Sequence, residues 1–330
     1  MKPWLKFIWV ILALGLQGCT TGRVALEQKY LPTPPADAKN PLLVWDVAPG
    51  QPPGLPRNFR TTDDPIKPAG EKAPDLAGLA DLHAAGSGAF SADEFELALA
   101  RMHSPVTVID LRQESHVFVN GRPISWYATN DWANAGRGHD DILDDEIHQK
   151  GRIVPGEKLI LRDANALKSP DKATPPVEIV PQNVSTEKET IEARQAKYVR
   201  LTISDHVRPA DAEVDRFVEA VRALPADGWV YLHCRAGKGR TTTFLALYDM
   251  LRNARRVSLE DIARRQELLG DDFDVLQPAP SGSWKTAYTE DRIAFVRAFY
   301  DYARANPGGQ PQLWSEWLRF SADKSSLVAH

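Results

Sequence analysis

The sequence predicts a mixed α/β domain, and three observations carry that expectation. Strand-like and helix-like patterns alternate through the second half of the chain. Asn120-Gly121 separates two short apolar runs, a strong hairpin signal. Trp229-Val230-Tyr231-Leu232-His233, a mostly apolar strand, runs through a loop with two glycines into a helical stretch from Thr241 to Leu251. The 330 residues suffice for one large domain or two small ones, and 43% hydrophobic with 25% charged residues is ordinary for a globular chain. A net charge of -4 gives no general basis for nucleic-acid binding, so any anion site has to be local.

Met1 to Lys6 carries two positive charges, and Phe7 to Leu16 is an apolar run too short for a comfortable membrane span. Leu16-Gln17-Gly18-Cys19-Thr20-Thr21 follows. The layout is that of a secretory signal peptide, and it resembles a bacterial lipobox. That resemblance implies a signal peptide at 1–18, cleavage before Cys19 and lipid on its sulfur. Thr20 in place of an aspartate implies the periplasmic face of the outer membrane, with the lipid as the only membrane contact. Eleven of the 25 prolines lie between Pro32 and Pro74, which rules out regular helix or central strand there. Residues 19–55 are read as a proline-rich tether, 56–310 as the folded domain and 311–330 as a C-terminal tail.

Within the domain, Ser91-Ala92-Asp93-Glu94 is a capping box that starts a helix bearing Phe95, Leu97 and Leu99. Pro105 to Leu111 reads as a strand. Val117-Phe118-Val119 and Ile124-Ser125-Trp126-Tyr127 are the arms of the Asn-Gly hairpin. The polar stretch 137–195 has no clear pattern. Tyr198 to Ile203 alternates as a strand, and Val214, Phe217, Val218, Val221 and Leu224 recur at helical spacing. Further helices start at Ser258 and cover roughly 287–305.

The chemistry concentrates at His233-Cys234-Arg235-Ala236-Gly237-Lys238-Gly239-Arg240-Thr241. Successive N–H groups in such a loop converge on an anion, and the following helix N-terminus adds about half a positive charge. Phosphate suits that site. A free thiol ionises near ~8.5, and helix N-termini with adjacent cations bring that to roughly 3.5–7.5, so Cys234 is the expected nucleophile. Arg240, six positions on, offers a bidentate fork to phosphate oxygens. Thr241 offers a hydroxyl to the sulfur, and His233 a supporting hydrogen bond. A nucleotide-binding loop is excluded, because Lys238 is followed by Gly239 and Leu232 stands five positions before Gly237.

Cys-x5-Arg-Thr after a strand resembles the signature of protein tyrosine phosphatases. Val108 to His116, Ser125-Trp126-Tyr127, Asp131-Trp132-Ala133-Asn134, Ser204 to Pro209 and the loop at Cys234 together resemble the bacterial PTP-like phytases, over roughly residues 56–305. The resemblance implies a tyrosine-phosphatase-like fold, a central mixed sheet flanked by helices, with a small added barrel-like sheet. It also implies stepwise removal of phosphates from inositol phosphates, with neither metal nor cofactor.

Asp205 is the expected general acid: it follows a strand, sits on a loop and precedes Cys234 by 29 residues. His206 is an expected phosphate contact. Arg235 and Lys238 join Arg240 as loop cations, more than one phosphate needs. That pattern also resembles phosphatases of 3-phosphoinositides, and it departs from the acidic or neutral residues common in the phytases. The loop residues Arg235, Ala236, Gly237, Lys238 and Gly239, with His206, form the expected substrate site. Arg60, in a block resembling the phytases, and Lys285, where that family has a substrate-binding lysine, complete it. Soluble inositol phosphates, phosphoinositides and phosphoproteins remain open as substrates, and a non-catalytic phospholigand module is the rival from another class. The residues set no oligomeric state.

Overall fold

The computed structural model describes residues 28–48, 50, 52–66, 73–164, 167, 174–270 and 272–328, with side chains described as far as residue 321. The expected signal peptide at 1–18 and the lipid site Cys19 lie outside the described residues. Among the described residues no helix is long and apolar enough to cross a membrane.

In chain order the strands are β1 (Leu42–Trp45), β2 (Arg60–Thr61), β3 (Ala84–Ser87), β4 (Val106–Asp110), β5 (His116–Val119), β6 (Arg122–Tyr127), β7 (Leu159–Asp163), β8 (Val177–Ile179), β9 (Val184–Ser185), β10 (Lys197–Arg200) and β11 (Trp229–His233). The helices are α1 (Ala92–Leu99), α2 (His139–Gly151), α3 (Glu187–Glu192), α4 (Asp211–Arg222), α5 (Gly239–Asn253), α6 (Leu259–Leu269), α7 (Thr286–Ala305) and α8 (Trp314–Val328).

One sheet has the order β10-β4-β11-β3-β2. Its first four strands are parallel, and β2 closes the edge antiparallel to β3. Side chains alternate across β11. Val230 and Leu232 face a core built with Val214, Phe217, Leu245, Phe295 and Trp314, while Trp229 and Tyr231 face Phe90, Phe95 and Phe118. The central strand is thus buried on both sides, as its near-continuous apolar run requires. α5 is buried almost all round and packs on both α6 and α7.

The second sheet has the linear order β8-β7-β1-β6-β5-β9. It is the small added sheet expected from the resemblance, as six open-ordered strands. Its β5–β6 hairpin turns through Asn120 at φ 52° and Gly121 at φ 74°, the left-handed pair that an Asn-Gly turn supplies. The Ser91 capping box forms as read, with Glu94 N donating to Ser91 Oγ and Ser91 N to Glu94 Oε2.

Two domain boundaries need correction. The tether read at 19–55 contains β1, which pairs with both β6 and β7. Upstream of it, Tyr30 meets Tyr288 edge to face at 5.9 Å, and Gln28 Nε2 donates to Arg208 O. Proline excludes regular structure only where it falls, and Leu42-Leu43-Val44-Trp45 is a proline-free run between Pro41 and Pro49. The tail read at 311–330 contains α8. Its Trp314 is fully buried against Phe295, Phe299 and Tyr302 and donates through Nε1 to Asp211 Oδ1 at 2.8 Å.

The stretch 137–195 holds α2, β7, β8, β9 and α3. α2 escaped pattern reading because it buries only Ile142 and the charged Glu146. Glu146 is held by Arg200 at 3.2 Å and by the backbone N–H of His116 at 2.9 Å.

Candidate active site

The four parallel strands end at one rim of the sheet, and each end contributes. β11 runs into Cys234, β4 into the stretch holding Glu114, β10 into the loop of Asp205, and β3 into Gly88. Ligand sites in open α/β sheets form at such carboxyl ends.

The loop closes tightly on the sulfur. Cys234 Sγ accepts from Gly237 N at 3.3 Å and from Thr241 Oγ1 at 3.2 Å. Gly237 sits at φ 76°, and a Cβ there would come within 2.3 Å of Gly88 N, so only glycine fits. α5 begins at Gly239 immediately after the loop, so its first N–H groups face the same point.

Arg240 is buried, and its guanidinium is gripped by Glu114. Nη1 lies 2.7 Å from Oε2 and Nη2 3.1 Å from Oε1. Nη1 also donates to Ile203 O, and Nε lies 3.3 Å from Asp205 Oδ1. Burial opposes the Glu114 charge, yet Arg240 and Arg112 hold that carboxyl well below the usual carboxylate range. Glu114 therefore stays ionised and aims the fork.

Asp205 sits between Arg240 and His206, whose Nε2 is 3.4 Å from Asp205 Oδ2. Its loop is fixed by Trp132 Nε1 donating to Asp205 O at 2.9 Å and Ser204 Oγ donating to Gln113 Oε1 at 2.9 Å. Burial pushes the His206 ring below its ordinary range, with Lys285 and Arg240 working in the same direction against Asp205. A neutral imidazole beside the acid follows.

A cleft of about 590 Å³ opens over these groups. Asp205, His206, Lys238, Arg240, Lys285 and Arg292 are among its lining residues, and so are Glu267, Asp272 and Asp274. The Arg292 guanidinium lies 5.1 Å from the Phe273 ring centre and is pushed down to about 10 by burial, with Asp274 opposing.

With this geometry in place, the chain can be compared with known proteins. Residues 109–252 match the family model of PTP-like phytases, described by the words inositol hexakisphosphate. A PTP-like phytase from Bdellovibrio bacteriovorus superposes with a TM-score of 0.69 at 39% identity, covering 89% of this chain and 98% of that one. The chain belongs to the PTP-like phytase family. A PTP-like myo-inositol phosphatase from Mitsuokella multacida, solved in complex with myo-inositol-(1,3,4,5)-tetrakisphosphate, superposes with a TM-score of 0.78 at 33% identity over 89% of this chain and 49% of that one. Among curated proteins, effector protein hopD2 of Pseudomonas syringae pv. tomato is 36% identical over 289 residues. This chain covers 86% of its own length in that match but only 61% of hopD2.

For a PTP-like phytase, the expected site residues divide clearly. Cys234, Gly237 and Thr241 meet at the sulfur, and Asp205, His206, Ala236, Lys238, Gly239, Arg240 and Lys285 line the cleft. His233 stands behind the loop, fully buried, with Nε2 2.6 Å from Glu187 Oε1.

Arg235 and Arg60 do not reach the cleft. Arg235 turns to the second sheet, where Nε is 2.9 Å from Asp46 Oδ1, Nη1 contacts Asp131 Oδ1 and the guanidinium covers the Tyr127 ring. A cation neutralised by two buried carboxylates is not a spare phosphate donor, so the count of loop cations made from sequence was too high. Arg60, 4% exposed, donates Nη1 to Asn58 O and Gly237 O and Nη2 to Thr242 Oγ1. It is spent on the loop rather than on a ligand. Glu114 and Arg292 are the site residues the sequence reading passed over, while Trp132, expected as core packing, is buried and also fixes the Asp205 loop. The signal for Glu114 was present: an acid four residues beyond Asp110 on the strand that parallels β11.

Proposed function

We propose that the protein is a cysteine-dependent phosphomonoesterase that dephosphorylates inositol polyphosphates through a cysteinyl-phosphate. The observation that carries this reading is the convergence of Cys234, Arg240 and Asp205 at one rim. The sulfur is hydrogen-bonded by the loop, and the acid stands 3.3 Å from the arginine. Thiolate at Cys234 attacks phosphorus while the P–O bond to the inositol oxygen breaks, and Asp205 gives its proton to that oxygen. Arg240 and the inward N–H groups hold the three equatorial oxygens. Asp205, now a carboxylate, then takes a proton from water as the water oxygen attacks phosphorus. The S–P bond breaks, its electron pair returns to sulfur, and Thr241 donates to that sulfur. His233, between Glu187 and the loop, supports from behind.

The substrate class is supported by the family's description and by the inositol tetrakisphosphate held by the Mitsuokella protein. Lys238, Lys285, Arg292 and His206 supply donors for phosphates beyond the reacting one. We further propose export and lipid anchoring through Cys19, on the lipobox-like residues alone. Metabolic labelling with a palmitate analogue checks this: label present in the parent and absent from Cys19→Ala supports it, and an unlabelled parent refutes it.

The activity is tested on purified protein without added metal, across inositol hexakisphosphate, lower inositol phosphates and phosphotyrosine peptides. Turnover of inositol phosphates is expected to dominate, and Cys234→Ser to be inactive. A higher kcat/KM on the peptides overturns the substrate, and an active Cys234→Ser overturns the covalent route.

A further inference from the structure

In a trans peptide unit the carbonyl and the N–H point in opposite directions. A loop that aims N–H groups at an anion must therefore aim the matching carbonyls away from it, and something has to receive them. Here three consecutive loop carbonyls meet three donors from one short segment. Arg57 Nη2 donates to Arg235 O at 2.9 Å, Asn58 Nδ2 to Ala236 O at 2.9 Å, and Arg60 Nη1 to Gly237 O at 2.8 Å.

The middle bond is the informative one. Ala236 O and Gly237 N belong to the same peptide unit. Its carbonyl accepts from Asn58 while its N–H donates to Cys234 Sγ at 3.3 Å. Asn58 thus fixes from outside the plane whose inner edge addresses the nucleophile. The units on either side carry the N–H groups of Ala236 and Lys238, and the two arginines fix those.

The segment is itself anchored. Gly88 N donates to Arg57 O at 2.7 Å, and Ala89 N shares Arg235 O at 3.1 Å. Arg60 also binds Thr242 Oγ1 in the first turn of α5 at 2.9 Å, tying the loop to the helix that completes the nest. Glycine at 237 makes such a brace necessary. A residue free to take either sign of φ lets its peptide planes rotate, and a rotated plane turns a carbonyl towards the phosphate.

We propose that Arg57, Asn58 and Arg60 are positioning residues that set the polarity of the phosphate-binding loop without touching the substrate. The proposal rests on the cysteine phosphatase reading above.

The test uses the full chain with Arg57→Met, Asn58→Gly, Arg60→Met and Arg60→Lys. Glycine replaces Asn58 because that residue sits at φ 57°, where alanine would add strain of its own. The readouts are kcat/KM on inositol hexakisphosphate against pH, inhibition by inorganic phosphate, and thermal unfolding. Asn58→Gly is expected to keep its fold, lose about tenfold in kcat/KM and move the acid limb of its pH profile upward, because the Gly237 N–H is no longer held on the sulfur. Arg60→Met loses more, roughly 10²-fold, and binds phosphate more weakly. Arg60→Lys regains part, since an ammonium can still reach Gly237 O.

Parent-like kcat/KM and pH profile in folded Arg57→Met and Asn58→Gly overturn the proposal. Losses that follow the melting temperature with an unmoved pH profile do the same. Should Arg60→Met not fold, the two surface variants decide the matter. An active Cys234→Ser defeats the underlying phosphatase reading, whereas an inactive one beside parent-like Asn58→Gly defeats only the brace.

Discussion

Arg235 Nε stands 2.9 Å from Asp46 Oδ1, and Asp46 Oδ2 stands 2.9 Å from Arg112 Nη2. Arg112 Nε is 3.0 Å from Glu114, which grips Arg240. A continuous chain of alternating buried charges thus joins the start of the loop after β11 to its closing arginine by way of the second sheet.

Asp46→Asn is expected to destabilise the fold by roughly 3–5 kcal/mol, because it leaves two buried guanidinia short of charge. Adding Arg235→Met should restore part of that loss by removing one of them. Urea unfolding of the parent, both single variants and the double variant checks this. A double variant less stable than the sum of its parts would oppose the pairing.

Glu114→Gln keeps the shape but removes the charge that aims Arg240. The expected loss is about 10²-fold in kcat/KM, seen chiefly in kcat, since the fork acts on charge developing in the transition state. Steady-state kinetics on an inositol phosphate, with a melting curve to confirm folding, measures it.

The cleft carries Glu267, Asp272 and Asp274 alongside its cations. Those carboxylates repel a crowded polyanion more than a sparsely phosphorylated one. Asp272→Asn with Asp274→Asn should raise kcat/KM on inositol hexakisphosphate about tenfold relative to a bisphosphate at low salt. Equal changes on both substrates would count against electrostatic selection at this wall.

Stability should fall on the alkaline side through His116. Burial, Arg112 and Arg200 oppose its charge, yet Asp110 and Glu146 prevail and the ring rises from 6.5 to about 9. A raised folded value means the contribution is complete below about 6.5 and disappears as pH climbs through about 9. The contribution is on the order of 3 kcal/mol. Denaturant unfolding against pH checks it, and His116→Gln should flatten the slope across that interval.

The placement of Cys234, Asp205 and Arg240 at one rim of the sheet was legible because each sits in a local pattern. A strand-loop-helix with Cys-x5-Arg carries its own geometry, and so does an Asn-Gly hairpin. Residues whose role depends on a distant partner were not legible. Nothing near Arg235 in the sequence announces Asp46, 189 positions away, so a buried ion pair was read as an exposed phosphate donor. Arg60 was misjudged for the same reason, since its partner Gly237 lies 177 positions away. α8 was missed although Trp314 and Trp317, among its described side chains, are buried, because their partners lie on distant elements such as α4 and α7.

The contact between Tyr30 and Tyr288 has a steric corollary. Tyr288 stacks at the edge of Trp284 and shares α7 with Thr289, which lines the cleft, as does the adjoining Lys285. Tyr30 therefore packs, through Tyr288, against the helix that walls the cleft. Removing the Tyr30 ring would accordingly be felt at the cleft wall, from a position more than two hundred residues away in sequence.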